Sequence, residues 1–182
     1  MPARRSPRQT GLVVAAQLGR VPAIGYRIAV VCRYGWPAVI RNEPFTDKGN
    51  PNPNLYYLCC PYLRRELARL EDSGAIARLE ERIASDREAA RALAEAQSGH
   101  RAEWRQAAAA AGRPAANGPR IAAAAGDQAL KCLHAHFAFY LVHRDHAAGA
   151  MIAAEIGNIW CDDDRCRRLA LAAGDNLTRA GR

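Results

Sequence analysis

The stretch Leu130-Lys131-Cys132-Leu133-His134-Ala135-His136 places one thiol and two imidazoles within five residues of an apolar helical pattern. Phe137 and Leu141 continue the apolar line at helical spacing. We therefore predict an amphipathic helix, capped by Asp127, whose apolar face packs on the core of the fold. The thiol and imidazoles on this helix indicate a chemical site, and a metal site is the leading interpretation.

Helical geometry decides which of these side chains can cooperate. Cys132 and His136 are four residues apart, so an undistorted helix places them on one face. His134 lies about 200° around an ideal helix from Cys132. The spacing therefore favours a Cys132–His136 pair, and it allows Cys132 with His134 only if the helix begins late or is distorted.

The remaining thiols lie far away in the sequence, so the fold must bring some of them to this helix. Cys32 is predicted at the rim of a hairpin, Cys60 at the end of a strand, and Cys161 with Cys166 around an acidic turn. Structural zinc requires four Cys or His ligands in a tetrahedron. The candidate ligands are Cys32, Cys60, Cys132, His134, His136, Cys161 and Cys166, and their spacing does not select four of them. The alternative is that they are small buried cysteines and core histidines.

The histidines favour zinc over an iron–sulfur cluster, which prefers cysteine throughout and whose common ferredoxin spacing is absent. A second interpretation is an enzyme in which Cys132 acts as a nucleophile with a neighbouring histidine as base, or in which a bound metal acts as a Lewis acid. No phosphate-binding loop and no dinucleotide fingerprint is present. The sequence leaves open whether the protein is an enzyme.

The rest of the chain predicts an α+β fold, with a small antiparallel sheet in the N-terminal third packed against several α-helices. Three β-favouring runs, at residues 24–31, 38–40 and 55–60, supply the sheet, and the first two are joined by a short turn containing Gly35. Amphipathic helices are predicted at residues 62–72, at 75–84 and from about 85 to 110. Ser85 and Glu88 are placed as a capping box for the third helix.

The domain prediction divides the 182 residues into three parts. Residues 1–20 are predicted to be a flexible basic N-terminal tail, and residues 174–182 a frayed C-terminal tail. Residues 21–173 are predicted to form a single α+β domain, with a flexible Ala/Gly/Pro connection near 111–126. The hydrophobic fraction of 49% is enough for one core.

The formal net charge of +8 is carried almost entirely by arginine. It is compatible with an anionic partner such as nucleic acid, which makes a nucleic-acid- or ribosome-associated basic module the third interpretation. A solvated arginine-rich surface explains the charge equally simply. The sequence contains no apolar run long enough to span a bilayer and no clear signal-peptide core, so we expect a cytoplasmic protein. In that compartment metal ligation or catalysis is a better expectation for six cysteines than disulfides.

Three blocks resemble a known family. They are residues 32–40 (CRYGWPAVI), residues 54–61 (NLYYLCCP) and residues 131–134 (KCLH). Together they are similar to the bacterial family of unknown function numbered 501, over roughly residues 23–149. The resemblance implies that Cys32, Cys60, Cys132 and His134 match family motif positions and would make a Cys3His ligand set. It implies no established activity.

Overall fold

A three-stranded antiparallel sheet forms the first part of the fold, in the order β1 (Tyr26–Val31), β2 (Pro37–Asn42) and β3 (Tyr56–Leu58). The structure is a computed structural model that describes residues 7–180, and the side chains of residues 9–173. A tight turn joins β1 to β2, with the Gly35 N–H donating to the Cys32 carbonyl at 2.8 Å. Gly35 has a φ of 74°, a conformation that favours glycine.

Seven α-helices follow or flank the sheet in the described part of the chain, and one short 3-10 turn lies at Ile121–Ala123. Helices and strands together confirm the predicted α+β class. The helices are α1 (Pro7–Leu18), α2 (Pro61–Asp72), α3 (Ala75–Ser85), α4 (Arg87–Ala110), α5 (Leu133–His143), α6 (Ala147–Ile156) and α7 (Arg165–Ala180).

Helix α5 is central to the core and packs on β3, α2 and α6. Its side chains Leu133, Phe137 and Leu141 are buried, as the apolar periodicity predicted. Leu63 and Leu67 bury the matching stripe of α2. Burial of such side chains stabilises by roughly 2 kcal/mol each, which fixes α2 against the start of α5.

Two predicted boundaries differ from the structure. The range predicted as an N-terminal tail contains α1 over Pro7–Leu18, while residues 1–6 lie outside the described residues. Helix α1 packs on α7, which continues to Ala180 although a frayed tail was predicted from residue 174. The contact between α1 and α7 stabilises two short, alanine-containing helices that would be marginal in isolation. That residues 21–173 form one domain stays a prediction.

Helix α5 begins at Leu133, six residues after the cap position that the sequence predicted. Asp127 instead pairs with Arg120 at 2.6 Å and with Arg101 at 3.2 Å. Similarly, α4 is capped by Asp86 rather than Ser85, because the Asp86 carboxylate accepts two backbone N–H groups of the first turn. No helix within residues 7–180 is both long enough and apolar enough to cross a membrane.

Candidate metal centre

The late start of α5 creates the site. Cys132 is the residue before the helix and has extended backbone angles, φ −153° and ψ 117°. The first helical N–H, that of Leu133, donates to Glu71 Oε1 at 2.7 Å. Glu71 lies at the end of α2, so its carboxylate caps the positive end of α5. This cap holds α2 and α5 together at the position where Cys132 and His134 emerge.

Both ring nitrogens of His134 contact acceptors. Nε2 lies 3.0 Å from the Arg64 carbonyl oxygen and Nδ1 lies 3.2 Å from Glu71 Oε1. Burial opposes the charged imidazolium, but the hydrogen bond with the Cys132 side chain, the Glu71 charge and the Arg64 carbonyl together raise the pKa of His134 to about 9. The metal-free site therefore holds His134 as a cation at neutral pH.

Glu71, Cys132 and His134 form a group whose ligand atoms all lie within 4.8 Å of one another. All three side chains are partly buried. The group combines a sulfur, a nitrogen and an oxygen donor, and these are the donors that zinc binds in proteins. With Nε2 donating to the Arg64 carbonyl, Nδ1 is the ring nitrogen that faces the other two donors. Such an outer hydrogen bond is the usual way in which a ligating histidine is oriented.

A cavity of about 290 Å³ adjoins two of these ligands. Its wall combines β3 and the preceding loop with α2 and the first turn of α5. The lining residues are Asn54, Tyr56, Tyr57, Leu58, Arg64, Cys132, His134 and Ala135. Solvent or a small molecule can reach Cys132 and His134 through this cavity.

His136 does not reach Cys132, contrary to the pairing that ideal helical geometry favoured. Because α5 begins only at Leu133, Cys132 does not have a helical backbone. The rule that residues four apart share one helix face therefore does not apply to Cys132 and His136. His136 is fully buried, and its Nδ1 lies 2.9 Å from His146 Nε2. Burial, followed by the neighbouring His146, lowers the pKa of His136 to about 3, so this pair is neutral.

Cys32 and Cys166 pack against the same small apolar cluster, with Cys60 and Cys161 within electrostatic range of them, and none of the four belongs to the Glu71 group. They gather where the β1–β2 turn meets the start of α2 and the segment before α7. The single site predicted from the sequence is therefore divided between two places. Cys32 and Cys60 do not join Cys132 and His134, although the family resemblance implied one Cys3His set.

Glu71 was missed by the sequence analysis. It lies among alternating charges near the end of an amphipathic helix, where a glutamate normally faces solvent. Its contact with the start of α5 depends on how α2 packs, which no local pattern encodes. The available signal was indirect, since no good capping side chain precedes Leu133 and the free N–H groups require an acceptor from elsewhere.

A family model described as a protein of unknown function, DUF501, matches residues 28–154, more than two thirds of the 182 residues. The chain belongs to this family, which confirms the resemblance carried by the three sequence blocks. No curated protein and no solved structure matches the chain. The matched range contains Glu71, Cys132 and His134, whereas Cys161 and Cys166 lie beyond its end.

Proposed function

We propose that the protein binds one transition-metal ion, zinc by its donor set, through Glu71 Oε, Cys132 Sγ and His134 Nδ1. The observation that carries the proposal is the convergence of these three donor atoms within 4.8 Å. The hydrogen bond from His134 Nε2 to the Arg64 carbonyl supports it, because it fixes the ring with Nδ1 towards the other donors.

The donor set argues for the class of metal. A thiolate and an imidazole disfavour magnesium and calcium, which select oxygen ligands. An iron–sulfur cluster uses cysteine throughout, and this site offers one cysteine. Zinc accepts a mixed set of sulfur, nitrogen and oxygen. Binding displaces the Nδ1 proton of His134 and the thiol proton of Cys132, so the affinity rises with pH.

Three protein ligands leave one tetrahedral position for water or a substrate, which is the arrangement of catalytic rather than structural zinc sites. The cavity beside Cys132 and His134 gives that position access. Arg64 lines the same cavity, and its guanidinium donates to the Gln17 carbonyl at 3.0 Å. The proposed function is therefore a metal centre with an open coordination position, which suits metal-assisted chemistry on a small polar substrate.

The test compares zinc binding by the metal-free chain and by three variants, Glu71→Gln, Cys132→Ser and His134→Ala, using calorimetry. Each variant is expected to weaken one zinc-binding event by about 100-fold or more. Loss of a residue that only hydrogen-bonds a ligand typically costs about 10- to 100-fold in metal affinity, and loss of the ligand itself should cost more. Glu66→Gln is the matched control, because Glu66 is on the same helix and pairs with Arg65 and Arg69. Unchanged zinc binding in all three variants would refute the site.

A second function, thiol chemistry at Cys132, is favoured by one specific observation. Cys132 lines the cavity, and its side chain contacts the cationic His134 at the start of a helix. A thiol beside an imidazole is the arrangement that a cysteine nucleophile and its base use. Alkylation of the metal-free chain should then modify Cys132 faster than the fully buried Cys59, and His134→Ala should slow the reaction at Cys132. Equal rates in the parent and the variant would exclude this role.

The predicted nucleic-acid partner stays a prediction. Arginines of α2 and α3 form ion pairs with neighbouring glutamates, as in Arg69–Glu66 at 3.2 Å and Arg78–Glu155 at 3.4 Å. A steep fall of nucleic-acid affinity with salt concentration is the observation that would support it.

A further inference from the structure

Four cysteines outside the proposed centre form what we term the thiol cluster. It consists of Cys32, Cys60, Cys161 and Cys166, contributed by three separate pieces of the chain. Cys32 opens the β1–β2 turn, Cys60 lies two residues after β3 and directly precedes α2, and the other two flank the acidic turn at the start of α7. Cys60, Cys161 and Cys166 are buried, and Cys32 is partly exposed.

The turn that carries Cys32 has a rigid backbone. The Cys32 N–H donates to the Trp36 carbonyl and the Gly35 N–H to the Cys32 carbonyl, both at 2.8 Å. On the other side, Cys60 is the last residue before α2. The backbone N–H groups of Tyr62 and Leu63 face its sulfur and lower its pKa, although burial dominates and raises it. N–H groups directed at a sulfur stabilise a thiolate once a cation is present.

The segment 161–164 is fastened onto the same turn by side chains of residues 33–36. Arg33 pairs with Asp162 at 2.6 Å and also donates to the Cys161 carbonyl. The Tyr34 hydroxyl donates to the Asp162 carbonyl at 2.9 Å, and the Trp36 indole N–H donates to Asp164 at 2.5 Å. These contacts bring Cys161 and Cys166 to the side of the turn where Cys32 lies.

Cys32 and Cys166 pack against the same small apolar cluster beside Trp36, and the other two thiols lie within electrostatic range of them. The thiols of Cys32 and Cys161 raise the pKa of Cys60 beyond the effect of burial. Burial raises the pKa of Cys166 to about 11, with further contributions from Cys60, Cys32 and Cys161 and against a hydrogen bond from Gln17 at 3.2 Å. Four of the six cysteines, from three chain segments, thus lie around the β1–β2 turn.

Cys59 shows what an ordinary core cysteine of this protein looks like. It is fully buried among Val14 and Ile40. Cys59 also lies within electrostatic range of Cys60 and Cys166, but it packs in a different apolar cluster from Cys32, Cys60 and Cys166. Arg165 lies within electrostatic range of Cys161 and Cys60, where it would offset negative charge on the sulfurs.

We propose that the thiol cluster is a second, structural metal site, in which four thiolates hold one zinc-type divalent cation. Binding releases four protons and gives a tetrahedral complex with a net charge of −2. As the side chains stand, no three of these four sulfurs lie within 4.8 Å of one another, so the cluster is looser than the Glu71 group. Zinc–sulfur bonds of about 2.3 Å would draw the sulfurs to about 3.8 Å from one another. The ion would lock the start of α7 onto the β1–β2 turn and the start of α2.

The experiment uses the full chain with Glu71→Gln and Cys132→Ser, which removes the centre described above. After reduction and zinc loading, elemental analysis should give one zinc per chain, and X-ray absorption should show four sulfur neighbours at about 2.3 Å. This measurement leaves the thiol cluster intact. It therefore does not depend on whether variants of the four cluster cysteines fold. It also separates the two proposals, since the double variant can keep its zinc even if the Glu71 site binds none.

Three results would overturn the proposal. They are a zinc-free reduced chain, zinc with fewer than four sulfur neighbours, and iron with inorganic sulfide in place of zinc. A disulfide among the four cysteines of the isolated chain would also overturn the proposal if the reduced chain then took up no zinc. In the same background Cys161→Ser and Cys166→Ser should each release the zinc. Cys59→Ala should keep it, because Cys59 packs against Val14 and Ile40.

Discussion

Acid should destabilise the fold well above the pH at which carboxylates titrate, because three histidines are buried as neutral groups. His136 and His146 face each other at 2.9 Å, and both are fully buried. His100 is also buried, with Nδ1 3.1 Å from the Pro119 carbonyl. Burial is the largest cause in each case and lowers the pKa to about 3 for His136 and about 4 for His146 and His100.

The magnitude follows from linkage between protonation and folding. A histidine with a lowered pKa in the folded state binds its proton first in the unfolded chain, so folding loses stability as the pH falls below about 6.5. The loss is about 1.4 kcal/mol per pH unit for each such histidine, until the folded group titrates. From pH 7 to pH 5 each histidine therefore costs about 2 kcal/mol. Two or three of them would consume much of a typical stability of about 5 to 15 kcal/mol.

Urea unfolding of the metal-free chain at pH 7, 6 and 5 measures this loss, and NMR of the ring protons shows which histidines titrate. We expect the unfolding free energy to fall by at least about 4 kcal/mol over this range. The ring-proton chemical shifts of His136 and His146 should remain those of neutral imidazoles down to pH 5. Those of His134 should remain the shifts of a charged imidazolium. A flat unfolding free energy, or protonation of His136 near pH 6, would refute the reasoning.

Three further predictions concern single residues. Gly149→Ala should destabilise by about 3 kcal/mol in urea unfolding, because its Cβ would lie 2.2 Å from Tyr140 Cβ, whereas Gly99→Ala on α4 meets nothing within 4 Å and should stabilise by about 1 kcal/mol; equal effects would contradict the packing of α5 on α6. Asp86→Ala should cost about 1 kcal/mol through the lost cap of α4, and no cost would mean that the cap is dispensable. His134 has a raised pKa, so its stabilisation is complete below pH 6.5 and is lost as the pH rises through about 9; His134→Ala should remove that part of the alkaline decline of the metal-free chain, and an identical decline in the variant would contradict it.

The parts of the fold that local patterns encode were predictable. Alternation and turn chemistry located β1 and β2, and a leucine stripe located α2, because both signals depend only on neighbouring residues. The start of α5 was not predictable in this way. Asp127 is a good capping residue, but it pairs with Arg101 of α4 and with Arg120 of the connection after α4 instead. Tertiary ion pairs of this kind leave no periodic signal in the sequence.

The error at the start of α5 propagated into the site. A helix that began after Asp127 would turn His134 away from Cys132 and bring His136 towards it. The helix that begins at Leu133 does the reverse, and the N–H of that residue requires an acceptor, which Glu71 supplies. The identity of the third donor therefore depends on a cap that comes from another helix. The sequence could show that donors were present but could not show which of them meet.

Helix α2 explains why the candidate ligands divide into two groups. Cys60 precedes its first residue and Glu71 is the residue before its last, so at 1.5 Å per residue the two are about 17 Å apart along the helix axis. One ion cannot bind both Cys60 and Glu71. A single ligand set therefore includes residues from only one end of α2. The N-terminal end meets the β1–β2 turn and the segment before α7, while the C-terminal end caps α5 and adjoins a cavity. A closed group of four thiols at one end suits structure, and an open mixed group at the other suits chemistry.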